Sequence, residues 1–393
     1  MNVARLSVDG FRSLRAVTWD PGRLNVMIGP NGAGKSNVLK ALECLIASSQ
    51  GRLGRYVQRE GGMGATAWEG TAPELKFHLT TTGDVGAPSA GYLLRLVRLG
   101  TSSGYTIDEE RLYVRHGEDP PDSCVNHFLR TRSSAVEFGG SPKKRHKLRE
   151  PMQEDESLLS AYVGPFATRT EPVAFRAWVA SWTVYSDFLT HPEAPARRPA
   201  VARQETRLDR SGENLVTVLH TLYVGSREFK RELDLAMRAG FGDDYEELVF
   251  PPDADQRVQL RVRWRNSKRD QGAAELSDGT LRFLFLIAAL ANPEPPPFIA
   301  IDEPELGLHP SMLPVVAELA WTASHRTQVL LTTHSAELLD GFREYDPPPV
   351  VTVVAREEGA TSVRSVEGAA LAHWLEDFTL GRLFRSGELE ALQ

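Results

Sequence analysis

Cysteine is nearly missing from this 393-residue chain: Cys44 and Cys124 are the only two. Two thiols build neither a disulfide framework nor a Cys-rich zinc site, and Cys44 falls on an apolar helical stripe that suits a packed thiol. Long hydrophobic runs are missing as well. The longest, near Phe283–Ala291, is too short to cross a bilayer, and no signal-peptide pattern opens the chain, so a cytoplasmic protein without membrane contact is expected. Neither sign of charge dominates: 45 Lys and Arg against 52 Asp and Glu give a net charge of −7, which argues against wholesale coating of a polyanion but permits local basic surfaces. No tandem repeat is evident, and no apolar stripe is long enough for an extended coiled coil. At this length one core stops growing, so two lobes are expected.

What is present is a set of short motifs with chemistry attached. Gly29-Pro30-Asn31-Gly32-Ala33-Gly34-Lys35-Ser36 satisfies G-x-x-x-x-G-K-[ST] at every fixed position. The apolar run Leu24–Ile28 before it suits a buried strand, and Val38, Leu39, Leu42, Leu45 and Ile46 after it recur at helical spacing. The glycines let backbone N–H groups converge on phosphate, Lys35 supplies a point charge for the β and γ phosphates, and the Ser36 hydroxyl suits Mg2+. Phe298–Pro304, FIAIDEP, is an apolar strand that ends in two carboxylates. Such a placement is costly unless used: Asp302 is a hard oxygen ligand for Mg2+, and Glu303 can orient or deprotonate a water. Leu330–Ser335, LLTTHS, is a third apolar strand with a polar end, which places His334 at a strand tip where it can contact a γ-phosphate or that water.

The pentapeptide Leu276–Thr280, LSDGT, precedes a buried helix predicted to run to about Ala291, with Ser277 as N-cap. Its first turn offers N–H groups, a hydroxyl and the Cβ-free Gly279 to an anion. A chain with two phosphate cradles for one nucleotide is most economically completed by a second copy, each cradle finishing the other's site.

In order, GPNGAGKSN, LSDGT, FIAIDEPELGLHP and TTHS resemble the Walker A, signature, Walker B with D-loop, and switch-histidine motifs of ABC-type ATPases. The opening RLSVDGFRSL, the segment LDRSGENLVTVLHTL near residue 208 and the ending WLEDFTLGRLFRSGELE resemble the RecF/SMC-like predicted ATPases, including the AAA_21 and OLD-type group. The resemblance covers both ends of the chain well and the middle thinly. It implies an α/β fold: an ABC-type P-loop NTPase with a mixed β-sheet core and an inserted α+β/helical lobe. It also implies ATP and Mg2+ as cofactors and a homodimer formed on ATP. Carried over by residue, Gly29, Asn31, Gly32, Ala33, Gly34, Lys35, Ser36 and Asn37 bind nucleotide, Ser36 and Asp302 bind Mg2+, Glu303 acts on water, His334 senses the γ-phosphate, and Ser277 and Gly279 act in trans. Gly307, Leu308 and His309 take the D-loop position at the dimer seam. The Q-loop glutamine is either Gln50 or Gln58, and no aromatic partner for adenine stands out.

The interval between P-loop and signature is too long for a compact nucleotide core. A discontinuous nucleotide-binding lobe is expected over 1–80 and 292–393, with an inserted lobe over 81–291 that carries a helical arm and the signature. Residues 73–80 and 92–98 have strand character; Leu215, Val218, Leu219 and Leu222 form one helical stripe, and Phe229, Leu233, Ala236 and Met237 another, closed by Gly240. Two basic segments bear on partners. Lys143, Lys144, Arg145, Lys147 and Arg149 cluster in the insertion, and from Arg257 to Arg269 the apolar Val258, Leu260, Val262 and Trp264 alternate with Arg261, Arg263 and Arg265, as in a strand with one buried and one cationic face. Such a face can grip double-stranded DNA without reading sequence. His116 and His127 flank Asp119, Asp122 and Cys124 at a spacing that matches no zinc pattern. The few residues beyond His334 leave no room for a fused nuclease, so two functions are carried forward: a DNA-associated ATPase in genome maintenance or phage defence, and an ATP-gated switch acting on a separate effector protein. A transporter's cytosolic subunit is disfavoured by the insertion and the DGFRSL opening.

Overall fold

The computed structural model of the chain describes residues 1–82, 89–100, 103–115, 124–132, 134–138, 145–147, 153–163, 170–366, 374 and 378–391. Lys143, Lys144 and Arg149 of the first basic cluster, and His116, Asp119 and Asp122, lie outside the described residues. Two compact units build the molecule. The first comprises Met1–Gly22, Ile28–Trp182 and Thr352–Ser365; the second comprises Arg23–Met27, Thr183–Val351 and Val366–Gln393. The inserted stretch 81–291 is thereby shared, with 81–182 in the first unit and 183–291 in the second.

In the first unit the strands are β1 (Asn2–Phe11), β2 (Leu14–Trp19), β4 (Glu74–Thr82), β5 (Ser89–Arg98), β6 (Tyr105–Arg115), β7 (Val125–Thr131), β8 (Ser134–Phe138) and β9 (Arg145–Lys147), with β3 (Leu24–Ile28) belonging to another sheet. They pair antiparallel throughout in the order β2-β1-β4-β5-β6-β7-β8-β9. The period of two sets the faces: on β4, Leu75, Phe77 and Leu79 are buried while Lys76 and His78 are not. Leu6, Leu79, Tyr92, Leu112 and Phe128 form one buried row across the sheet. The helix Lys35–Ser49 also belongs to this unit, and burial, with the Glu60 carboxylate adding, pushes the Cys44 thiol on it up. Val350–Glu357 and Ala360–Ser365 form a hairpin whose two-residue turn, Glu358-Gly359, has positive φ at both positions, as the right-handed twist of the flanking strands favours.

Among the buried ionisable groups of this unit, Glu110 is the most enclosed. Glu110, fully enclosed, accepts from Ser157 Oγ at 2.7 Å, Leu158 N at 2.7 Å, Leu159 N at 2.8 Å and the Tyr92 hydroxyl at 3.0 Å, with the Arg130 guanidinium 3.9 Å away. Burial pushes its pKa up, and the donors with Arg130 oppose that shift. Arg130 in turn donates to the carbonyls of Glu156 and Gln153, so the pair ties residues 153–159 to β6 and β7.

In the second unit, strands Thr183–Tyr185, Phe298–Asp302, Gln328–Thr332 and the β3 residues Leu24–Met27 run parallel in that order. All of Gln328–Thr332 and most of Phe298–Asp302 are buried, as a parallel sheet covered on both faces requires. The helix Leu313–Ser324 makes the crossover between the latter two strands, and Asp278–Leu290 is a nearly all-buried helix. Both helical stripes read from the sequence are buried on Leu215–Gly225 and Arg227–Phe241, which meet at Ser226, the N-cap of the second; the second ends at Gly242 with φ +75° rather than at Gly240. The basic strand differs from expectation. Arg257–Val258 pairs with Ala200–Val201 and Pro252–Asp253, whereas Arg261–Trp264 pairs with Tyr245–Val249, so the segment breaks at Gln259-Leu260 and changes partners. Val258, Leu260 and Val262 are buried, but Trp264 is half-exposed.

Glu110→Ala strands the Arg130 guanidinium and two backbone donors; a loss of about 3 kcal/mol is expected in urea unfolding.

Candidate nucleotide site

β3 leads straight into the P-loop, which turns on backbone that only glycine tolerates. Gly29, Gly32 and Gly34 have φ of +144°, +78° and +119°. A Cβ on Gly29 would lie 2.0 Å from the Val354 carbonyl oxygen, and one on Gly34 would lie 2.0 Å from Thr361 Oγ1, whereas one on Gly32 would meet nothing within 4 Å. The loop is thus backed by the hairpin on one side and open at Asn31-Gly32, both exposed. Ala33 N donates to the Pro30 carbonyl at 3.1 Å and closes the turn. Lys35 is buried, and its ammonium donates to the carbonyl of Gly29 at 2.8 Å. The helix that follows begins at Gly34 with no side-chain cap, the arrangement in which an anion takes the helix N-terminus.

Two residues outside the motif hold the loop. Thr361 Oγ1 donates to the Ala33 carbonyl at 2.7 Å and lies 2.6 Å from Ser13 Oγ, while Thr361 N donates to the Ser13 carbonyl at 2.8 Å. Asn37, expected to contact nucleotide, has its amide nitrogen 2.6 Å from Ser13 Oγ. Of the two Q-loop candidates, Gln50 donates to the Ala180 carbonyl at 2.7 Å and Gln58 is exposed.

In the second unit the acidic and histidine residues stand at the carboxyl ends of neighbouring parallel strands, where ligands of open α/β sheets are bound. Thr332 faces both: its hydroxyl donates to Asp302 Oδ1, and its carbonyl and hydroxyl oxygens each accept from Glu303 N at 3.1 Å. That clamp holds Glu303 at φ +47°, a conformation costing about 1–3 kcal/mol for a residue with a side chain. Glu303 Oε1 comes within 3.4 Å of His334 Nε2. A cavity of about 30 Å³, room for a water or two, lies against Asp302 and Glu303 and is walled by Tyr185, Arg282 and Phe285.

Glu305, to which the sequence assigns no role of its own, organises the histidine turn. Its Oε1 accepts from Thr333 Oγ1 at 2.6 Å and from His334 N at 2.8 Å, and its Oε2 is buried without a hydrogen-bond partner. The signature segment has a comparable support. Ser277 caps its helix by accepting from Thr280 N at 3.1 Å, and Arg197, nearly buried, donates to the carbonyls of Ala273 at 3.2 Å and Leu276 at 2.7 Å and pairs with Asp278. Gly279 packs on the D-loop of its own chain: a Cβ there would be 2.5 Å from the Gly307 carbonyl oxygen. Leu306 and His309 beside it are exposed.

These residues fit a nucleoside triphosphate with a hard cation. In the first unit the loop is a glycine-built cradle with a buried ammonium and the Ser36 hydroxyl, and in the second unit Asp302 is a carboxylate at a strand tip; hydroxyl and carboxylate oxygens are donor types that Mg2+ takes alongside phosphate and water. Among the described residues no group of three or more His, Cys, Asp or Glu side chains is assembled that could hold a metal by protein ligands alone.

A family model described as AAA domain, putative AbiEii toxin, Type IV TA system (AAA_21) matches residues 24–88 and 168–340, more than half of the chain. The chain belongs to the AAA_21 family. Among solved structures it is similar to an Smc head bound to the C-winged helix domain of ScpA, with 12% identity over 94% of this chain and 100% of that one and a TM-score of 0.60. It is also similar to the Smc head domain with an extended coiled coil bound to the C-terminal domain of ScpA derived from Pyrococcus furiosus, with 13% identity, 96% and 99% coverage and a TM-score of 0.54. At such identities the likeness is one of fold, and the AAA_21 chain has the mixed α/β fold of an SMC-like, ABC-type P-loop ATPase head. No curated protein matches the sequence. Among its described residues no helix is long and apolar enough to cross a membrane.

Removing the shared acceptor in Glu305→Ala is expected to cost about 2 kcal/mol in chemical unfolding, while Glu305→Gln, which keeps an oxygen there, recovers most of it.

Proposed function

We propose that this chain is a Mg2+-dependent ATPase that pairs with a second copy on ATP and acts in association with DNA. The observation that carries the reading is the Glu303–His334 pair, 3.4 Å apart at adjacent strand tips, with Glu303 held in a strained backbone conformation by Thr332. Strain of this kind persists where the surroundings over-determine it, and it gathers at sites of chemistry.

Roles follow from side-chain chemistry. The N–H groups of Gly29, Asn31, Gly32, Ala33 and Gly34 bind phosphate oxygens, Lys35 leaves its loop carbonyls for the β and γ phosphates, and Asn37 steadies the loop through Ser13. Ser36 and Asp302 hold Mg2+, which when bound neutralises phosphate charge. Glu303 orients the attacking water and takes its proton, and His334 donates to the γ-phosphate. Ser277 and Gly279 receive the phosphate of the partner copy. Of the D-loop residues Gly307, Leu308 and His309, the exposed Gly307 and His309 support a seam at that place.

DNA association is supported by the exposed Arg257, Arg265, Lys268 and Arg269, which suit phosphate backbones. A second reading has its own observation. Arg263 is bound by Glu247 at 2.5 Å and Asp270 at 2.9 Å, and Arg269 by Glu275 at 2.9 Å, so part of the cationic face is already neutralised. That favours an ATP-gated switch acting on a separate effector protein, a role in keeping with the toxin–antitoxin description of the family.

Glu303→Gln is expected to bind ATP, lose turnover by at least about a hundredfold, and accumulate a dimer in light scattering. Unchanged turnover would remove Glu303 from catalysis. Adding duplex DNA to that dimer separates the two readings: salt-sensitive DNA binding that requires ATP supports the first, and its absence the second. Lys35→Ala should not bind ATP and Ser277→Arg should bind it without associating; mixed, the two should recover hydrolysis because one composite site is intact. No recovery beyond the separate variants would count against action in trans.

A further inference from the structure

The second unit carries an open cleft of about 520 Å³ whose aromatic residues none of the roles above uses, walled by Phe241, Trp264, Asn266, Arg269, Gln271 and Glu275. Its size is that of a small-molecule site. Two of its walls are aromatic, with Phe241 edge-on to Trp264 at 5.3 Å between ring centroids. The half-exposed indole is fixed in place, since Trp264 Nε1 donates to Gln271 Oε1 at 2.7 Å and Gln271 Nε2 donates to the Glu275 carbonyl at 2.9 Å. An aromatic face held by a hydrogen-bonded relay is prepared before any ligand arrives, which lowers the ordering cost of binding.

Charge narrows the ligand. The cleft holds one guanidinium, Arg269, against two carboxylates, Asp244 and Glu275, and Arg269 is already paired with Glu275 at 2.9 Å. An anionic group is disfavoured there. A flat, uncharged heteroaromatic ring with a polar edge is suited to Trp264, and a sugar carrying hydroxyl donors is suited to the carboxylates.

Position supplies the rest. Glu275 stands two residues before Ser277, and two residues of extended backbone span at most about 7 Å. The joining segment is rigid: the Gln271 amide holds it at the Glu275 carbonyl, and Arg197 holds it at Ala273, Leu276 and Asp278. An aromatic cleft with an excess of carboxylate and a helix N-terminus with a hydroxyl cap are therefore tied close together along the chain, the one suited to a flat ring and the other to an anion.

Building on the ATP-dependent pairing proposed above, we propose that this cleft receives the base and ribose of the nucleotide whose phosphates lie at the signature helix, so that pairing reads the nucleoside as well as the phosphate. Trp264 stacks on the base, and Asp244 and Glu275 accept from the ribose.

The test uses the full chain carrying Glu303→Gln, alone and combined with Trp264→Ala or Trp264→Phe. Association is followed by sedimentation against ATP, and base environment by the fluorescence of 2-aminopurine riboside triphosphate. Trp264→Ala is expected to raise the ATP needed for half-association about tenfold, the loss of one base–aromatic stack, and to abolish the fluorescence quenching that accompanies association. Trp264→Phe should keep both close to the parent. An unshifted Trp264→Ala, equal losses in both variants, or association without quenching in the parent overturns the assignment, the last leaving the cleft to a protein side chain. A parent that does not associate with ATP at all defeats the pairing itself, and the cleft assignment with it.

Discussion

A Cβ on Gly29 or Gly34 would be driven to within 2.0 Å of the hairpin that backs the P-loop. The shape of the P-loop depends on those two missing carbons. They let Thr361 reach the Ala33 carbonyl and Ser13 reach Asn37, which fixes the loop as a concave backbone surface rather than a flexible glycine turn. The helix that follows has no side-chain cap, so the loop is shaped for an anion and not for itself.

In the second unit the equivalent constraint comes from the parallel sheet. Strands buried on both faces have polar residues only where they emerge, and there a single threonine, Thr332, engages both acids of the neighbouring strand through its hydroxyl and Glu303 also through its carbonyl. The strain of Glu303 is sustained by those bonds. Glu305 then uses one oxygen to accept from both the Thr333 hydroxyl and the His334 backbone N–H, which ties the histidine turn to the acidic strand end.

Much of this was legible in the order of residues. Strand-to-helix context around residues 24–46, the apolar stripes of 215–222 and 229–237, and the N-cap at Ser277 all rest on local sterics and periodicity, which a short window contains. The basic segment was legible only in part. Alternation assigned Val258, Leu260 and Val262 to a buried face, but it could not show that the strand changes partners at Gln259-Leu260, or that Glu247, Asp270 and Glu275 would meet the arginines. Periodicity reports which way a side chain faces and is silent about what comes to meet it.

By itself, then, the sequence determined the class of machine, because its motifs are short stretches whose backbone and side-chain chemistry suffice locally. Tertiary structure alone decided which ordinary residues support them: Ser13 and Thr361 behind the P-loop, Arg197 under the signature, Thr332 and Glu305 beneath the carboxylate and the histidine. Thr361 lies 328 positions from the carbonyl it holds. A serine, threonine or arginine carries no local mark of such a task; its partner is set by the folding of distant segments, and only their meeting makes the bond.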